Sequence, residues 1–151
     1  MLRTQGAGSL TGFVGPNSAI IMNSDASTLW NTWRTDPGIR KIAEGWVTKQ
    51  AGDWTEDDEQ LSRILHSDPD SALAAILGMM QTTDDPKIHG AIASGPLEDF
   101  LGIHGERYLD VFHSLALEHA RLRKVLDGVW QGSMPKGVWH KIEMLKRRAF
   151  S

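Results

Sequence analysis

The sequence predicts an all-α fold, a compact bundle of about seven to nine short antiparallel helices, and three observations carry that expectation. From Asn23 onward helix caps and breakers recur at short intervals, and the apolar residues between them repeat with a helical period. No segment alternates with period two over strand length, apart from short ambiguous stretches within residues 11–23. Short turns favour antiparallel neighbours. Stacked helix pairs of HEAT type are the alternative architecture, although no fixed repeat is visible.

The elements follow in order. Residues 1–23 are rich in glycine, carry few charges and show no helical period, which predicts a flexible arm before a single helical domain over 24–151. The GAGSLTG stretch lacks the GxGxxG spacing and the lysine of a phosphate loop. Ser24 or Asp25 caps a first helix with Leu29, Trp30 and Trp33 on one side, and Asp36-Pro37-Gly38 stops it. A second runs from about Ile39 to Gln50, with Ile42, Ala43, Trp46 and Val47 as its apolar face. Thr55 caps the third, with Asp58 at N3 and Trp54 as a staple, and Leu61, Ile64 and Leu65 turn inward. Asp68-Pro69 opens the fourth, whose Leu73, Ile76, Leu77 and Met80 fall at i, i+3, i+4, i+7. A short fifth covers Ile88 to Ile92. Ser94-Gly95-Pro96 then opens a sixth that Gly105 closes, Glu106 to His119 forms another, and Leu122 to Trp130 a further one. The last spans about Lys136 to Arg148.

Composition narrows the function. The 151 residues suit one domain, and 40% hydrophobic with 23% charged residues is the balance of a folding chain. With no cysteine there is no disulfide framework, thiolate nucleophile or cysteine-based zinc site. The longest apolar runs fall short of the roughly 20 residues of a membrane helix, and no secretory signal is legible, so a cytoplasmic protein is expected. The net charge of −3 hides an asymmetry: residues 53–70 carry seven acids against Arg63, and residues 121–151 carry eight Lys or Arg against Asp127 and Glu143.

Ser94-Gly95-Pro96-Leu97-Glu98-Asp99-Phe100-Leu101, followed by His104-Gly105 and by Gly128-Val129-Trp130, resembles the bacterial family of unknown function DUF6869. A GPLEDLL-like segment, a nearby His-Gly and a C-terminal Val-Trp recur in that family, and the resemblance spans about residues 55–145. It implies a shared helical fold and a bacterial origin, and it transfers no activity or catalytic residue. The glycine-rich leader departs from it.

Read physically, GPLED is a helix start: Ser94 caps, Pro96 pre-sets the first turn, and Glu98 and Asp99 suit the positive helix end. The functional alternative gathers Glu98, Asp99, His104 and Arg107, with Glu106, into a carboxylate, imidazole and guanidinium cluster for a polar ligand or acid–base chemistry. Glu106, Asp110 and His113 share one stripe, which permits a metal but reads better as a solvated face. Trp30 and Trp33, at i, i+3, form either core or a partner-binding stripe. The basic end with Trp139, His140 and Phe150 is a weak pointer to nucleic acid in an acidic chain without a helix-turn-helix signature. No cofactor motif, metal site or nucleophilic triad is expected. The leading expectation is a non-enzymatic interaction module, an adaptor, inhibitor or immunity-type protein that binds another protein. A small hydrolase or ligand-binding domain built on Glu98, Asp99 and His104 is the alternative.

Overall fold

A computed structural model describes residues 25–49 and 56–149. Among them every regular element is helical: α1 (Ala26–Thr35), α2 (Pro37–Thr48), α3 (Glu56–Ser67), α4 (Pro69–Thr82), α5 (Pro86–Ile92), a π turn (Ala93–Leu97), α6 (Glu98–Glu118), α7 (Ala120–Leu126) and α8 (Lys136–Ala149). The all-α expectation holds. The arm expected over 1–23, the Thr55 cap and the Trp54 staple lie outside the described residues.

Four aspartates punctuate the chain as their side-chain chemistry requires. Asp25 accepts from the Thr28 N–H at 2.8 Å, Asp36 from Gly38 and Ile39, Asp68 from Ser71 and Asp85 from Lys87. Three of them precede a proline at the first helical position, where a missing N–H costs nothing. Asp36 both ends α1 and caps α2, so the two helices turn on a single residue.

The core is built around α4. Its residues Ala72 to Met80 are all buried, which a helix tolerates only when neighbours cover every side. Helices α1, α2, α3, α5, α6 and α7 all touch it. That arrangement is a compact bundle, since a solenoid would give each helix only its neighbours. Closeness is achieved at Gly78, where an added Cβ would lie 3.1 Å from the Ala43 methyl and 3.2 Å from the Trp33 ring.

Three sequence expectations fail in the second half. Ser94 does not cap a helix; its hydroxyl donates back to the Gly90 carbonyl at 3.0 Å, and the helical path continues through it. Pro96, which has no N–H to extend the ladder, sits inside the π turn that joins α5 to α6. Gly105 does not close a helix either. It is buried in the middle of the 21-residue α6, where a Cβ would stand 2.8 Å from Val138 Cγ1 of α8. The glycine permits close helix approach and ends nothing. Finally, α7 stops at Leu126, so Val129 and Trp130 belong to the following loop and not to a helix.

Helices α6 and α8 run in the same direction, Gly105 lying against Val138 and, further along both, Leu109 and His113 lining one cavity with Lys141 and Met144, with α7 between them in the chain.

Candidate functional site

The loop between α7 and α8, residues 127–135, is short of regular structure but not of restraint. Val129 and Met134 are buried in the core, and Gly132 takes φ +52°, a left-handed turn that glycine makes without strain. Two charged side chains, one from α6 and one from α8, reach the loop backbone. Glu98 Oε2 accepts the Trp130 N–H at 3.1 Å, and Lys146 Nζ donates to the Val129 carbonyl at 2.7 Å. Gly132 leaves room for the Glu98 carboxylate, since a Cβ there would lie 2.9 Å from Oε1. Lys146 also sits 4.7 Å from the Trp139 ring centre, and burial holds its ammonium below the usual lysine value against the opposing pull of Asp127 and Glu143. Next to this doubly tied peptide Trp130 points outward, 73% exposed. Charge-assisted bonds to both polar groups of the single Val129–Trp130 peptide fix the backbone that leads into the indole.

The expected acid–base cluster does not assemble. Glu98 is engaged with the Trp130 loop. His104 Nε2 lies 2.6 Å from the Leu65 carbonyl, which can only accept, so that nitrogen carries the proton and the ring fastens α6 to the end of α3. Arg107 stacks over the Tyr108 ring at 5.5 Å, and Glu106 is exposed. These residues share a single helix but do not converge: Asp99 and Glu106, seven residues apart, lie on one side, whereas His104 and Arg107 turn to other sides of the helix than Glu98. Asp99 lines a cavity, about 260 Å³, formed with Trp46, Asp58, Leu61, Ser62, Leu65, Ile76, Gly95 and Pro96. Burial, then the neighbouring charge of Glu98, raises its carboxyl above the ordinary aspartate value.

The stripe on α6 also resolves. Asp110 and His113 face a separate cavity of about 290 Å³ beside α8, with Leu109, Lys141, Met144 and Leu145. Among the described residues no three His, Asp or Glu side chains stand close enough to hold a metal ion.

Trp30 and Trp33 are half-buried packing residues. Trp30 stacks face to face on His119, with ring centres 3.4 Å apart and planes 12° from parallel, and meets Trp33 edge-on at 6.5 Å. Trp33 Nε1 is buried with no hydrogen-bond partner among the described residues. His119 marks the break between α6 and α7. Burial lowers its pKa, Glu118 opposes that, and Arg123 lowers it further.

A folded state that disfavours imidazolium binds its proton later than the unfolded chain. Stability from this site is therefore complete above the unfolded value of 6.5 and is lost as the pH falls through and below it. The urea midpoint of the protein should fall between about pH 7.5 and pH 5.5, and His119→Phe, which keeps an aromatic ring on Trp30, should fall less. An equal fall in both would mean that other groups carry the acid sensitivity.

Trp130 escaped the sequence reading because the period of Leu122, Val125, Leu126 and Val129 runs smoothly into it. Gly128, Gly132 and Pro135 were the available signal for a loop.

Comparison with known proteins adds a family. The profile of DUF6869, described as a family of unknown function, matches residues 44–150. That span contains both the GPLED segment and the Val-Trp pair, which the structure joins through Glu98 and the Trp130 N–H. No curated protein and no solved structure matches the chain. With well over half of its length matched by the profile, the chain belongs to the DUF6869 family.

Proposed function

We propose that this protein is a non-enzymatic helical module, an adaptor or inhibitor, that binds another protein through the Trp130 loop. The observation that carries this reading is an indole 73% exposed on a loop held by Glu98 and Lys146. Large side chains are normally withdrawn from water, and tryptophan is the residue type most enriched among those that dominate binding energy. A preorganised backbone lowers the ordering cost of association, so the two ties favour binding as well as stability. The dispersal of Glu98, His104, Glu106 and Arg107 around α6 supports a non-catalytic reading, since acid–base chemistry needs such groups to converge. No helix among the described residues is long and apolar enough to cross a membrane, and the reading requires none.

The test is co-purification of the tagged protein from its native host, followed by affinity measurement on whatever protein is recovered in stoichiometric amount. Trp130→Ala should weaken that complex by about 30-fold, the effect of a hot-spot residue worth about 2 kcal/mol. It should leave the fold intact, because the side chain is solvent-exposed. A partner held with unchanged affinity by Trp130→Ala would overturn the assignment of this face, and a recovered small molecule with no protein would overturn the class.

A further inference from the structure

The loop that carries Trp130 lies between two basic helices. Residues 121–151 hold eight lysines and arginines against Asp127 and Glu143, so in a chain of net charge −3 the preceding residues carry the excess of acids. Exposed Lys124 comes just before the loop and lines a cavity with Asp127 and Gly128. Exposed Lys136 opens α8 directly after it. Along α8, Lys136, His140, Glu143 and Arg147 fall at i, i+4, i+7 and i+11, which places them on one stripe of the helix. That stripe neighbours the one formed by Trp139 and Lys146, the pair whose ammonium bonds the Val129 carbonyl. The exposed indole therefore stands beside a basic surface on which Asp127 and Glu143 are interspersed.

We propose that the Trp130 loop binds an acidic segment of its partner protein, whose apolar side chain rests on the indole and whose carboxylates meet Lys124 and Lys136. The inference rests on the Trp130 reading and adds to it the sign of the partner's charge. An exposed tryptophan supplies the anchor, and cations around it steer carboxylates into place and turn basic competitors away. Lys146 serves the loop itself through the Val129 carbonyl, whereas Lys124 and Lys136 are exposed on either side of it. Spaced carboxylates suit a surface whose cations alternate with Asp127 and Glu143, while the unbroken phosphate row of a nucleic acid would meet those two acids at close quarters. An anionic membrane is also a poorer occupant, since interfacial binding needs a broad apolar face and the loop offers a single indole.

The experiment is a titration of the 15N-labelled full chain with the acetylated peptide Glu-Glu-Phe-Glu-Glu, followed by amide and indole N–H chemical shifts. The peptides Gln-Gln-Phe-Gln-Gln and Lys-Lys-Phe-Lys-Lys, an oligothymidylate and phosphatidylserine vesicles are the comparisons. Saturable shifts centred on residues 124–136 are expected with the glutamate peptide, at least about tenfold weaker binding with the glutamine peptide and none with the lysine peptide. Added salt should weaken the glutamate peptide and leave the glutamine peptide unchanged. The double variant Lys124→Glu, Lys136→Glu should weaken the glutamate peptide by about tenfold, and Trp130→Ala by at least as much. All three side chains are exposed, so the amides of α4 should keep their shifts in each variant and report an intact fold. Undiminished binding in the lysine variant together with loss in Trp130→Ala would overturn the acidic partner and leave the Trp130 reading standing. Undiminished binding in Trp130→Ala, no saturable shifts, equal binding of the lysine peptide, or tighter binding of oligothymidylate or vesicles at the same residues would overturn the inference as well. The Trp130 reading itself is judged separately, by the response of the recovered partner to Trp130→Ala.

Discussion

Phe100→Ala is expected to destabilise the protein by about 3–5 kcal/mol and to lower its Tm by about 6–20 °C. The ring is completely buried and is the hub of an aromatic column along α6, with centres 5.3 Å from His104, 5.0 Å from Tyr108 and 6.1 Å from Phe112. Truncation removes its transfer free energy and leaves a void that rigid neighbours fill poorly. Edge-to-face contacts add about 0.5–1.5 kcal/mol each beyond area burial, so the loss should lie toward the upper end of the range. Urea unfolding followed by far-UV circular dichroism measures it, with Trp130→Ala as the surface control expected within about 0.5 kcal/mol of the parent. A loss below about 1 kcal/mol would mean that the column is not part of the cooperative core.

Phe100 also shows what the sequence can disclose. Its burial follows from local period, as do the caps at Asp25, Asp36, Asp68 and Asp85 and the wholly apolar run of α4, because a cap needs only a side chain within three residues and a helical face only its own spacing. What stayed hidden depends on contacts remote in sequence. Gly105 reads as a terminator until Val138, 33 positions later, is brought against it. Glu98 reads as a helix-dipole residue or an acid catalyst until the Trp130 N–H arrives from 32 residues away. Pro96 reads as a first-turn residue because nothing in the local pattern foretells that the preceding helix continues through a π turn. The same limit applies to the candidate sites: Asp99 was legible as polar and exposed, but its cavity needs Trp46 and Asp58 from two other helices.

The second large effect concerns the junction between α3 and α4. Tyr108 is completely buried, and its hydroxyl donates to Asp70 Oδ1 at 2.5 Å, while His104, one turn earlier on α6, bonds the Leu65 carbonyl. Two side chains of α6 thus pin residues 65–70, and Leu65 is also part of the floor beside Asp99. Tyr108→Phe should cost about 1.5–3 kcal/mol near neutral pH, the usual worth of a hydrogen bond to a charged acceptor. Burial first, then the hydrogen bond to Asp70 and its charge, hold the phenol proton well above its ordinary value of 10, with Arg107 opposing and Asp68 adding a smaller push upward. The unfolded chain releases that proton at about 10 and the folded chain keeps it. Stability is therefore full below pH 10 and declines as the pH rises, by about 1.4 kcal/mol per unit. The parent's advantage over Tyr108→Phe should shrink by about 1 kcal/mol between pH 10 and pH 11, where the unfolded phenol is only partly ionised, read as urea midpoints of both proteins across the range. A gap that stays constant with pH would mean that the phenol titrates alike in both states, and the bond to Asp70 would then be packing geometry without electrostatic consequence.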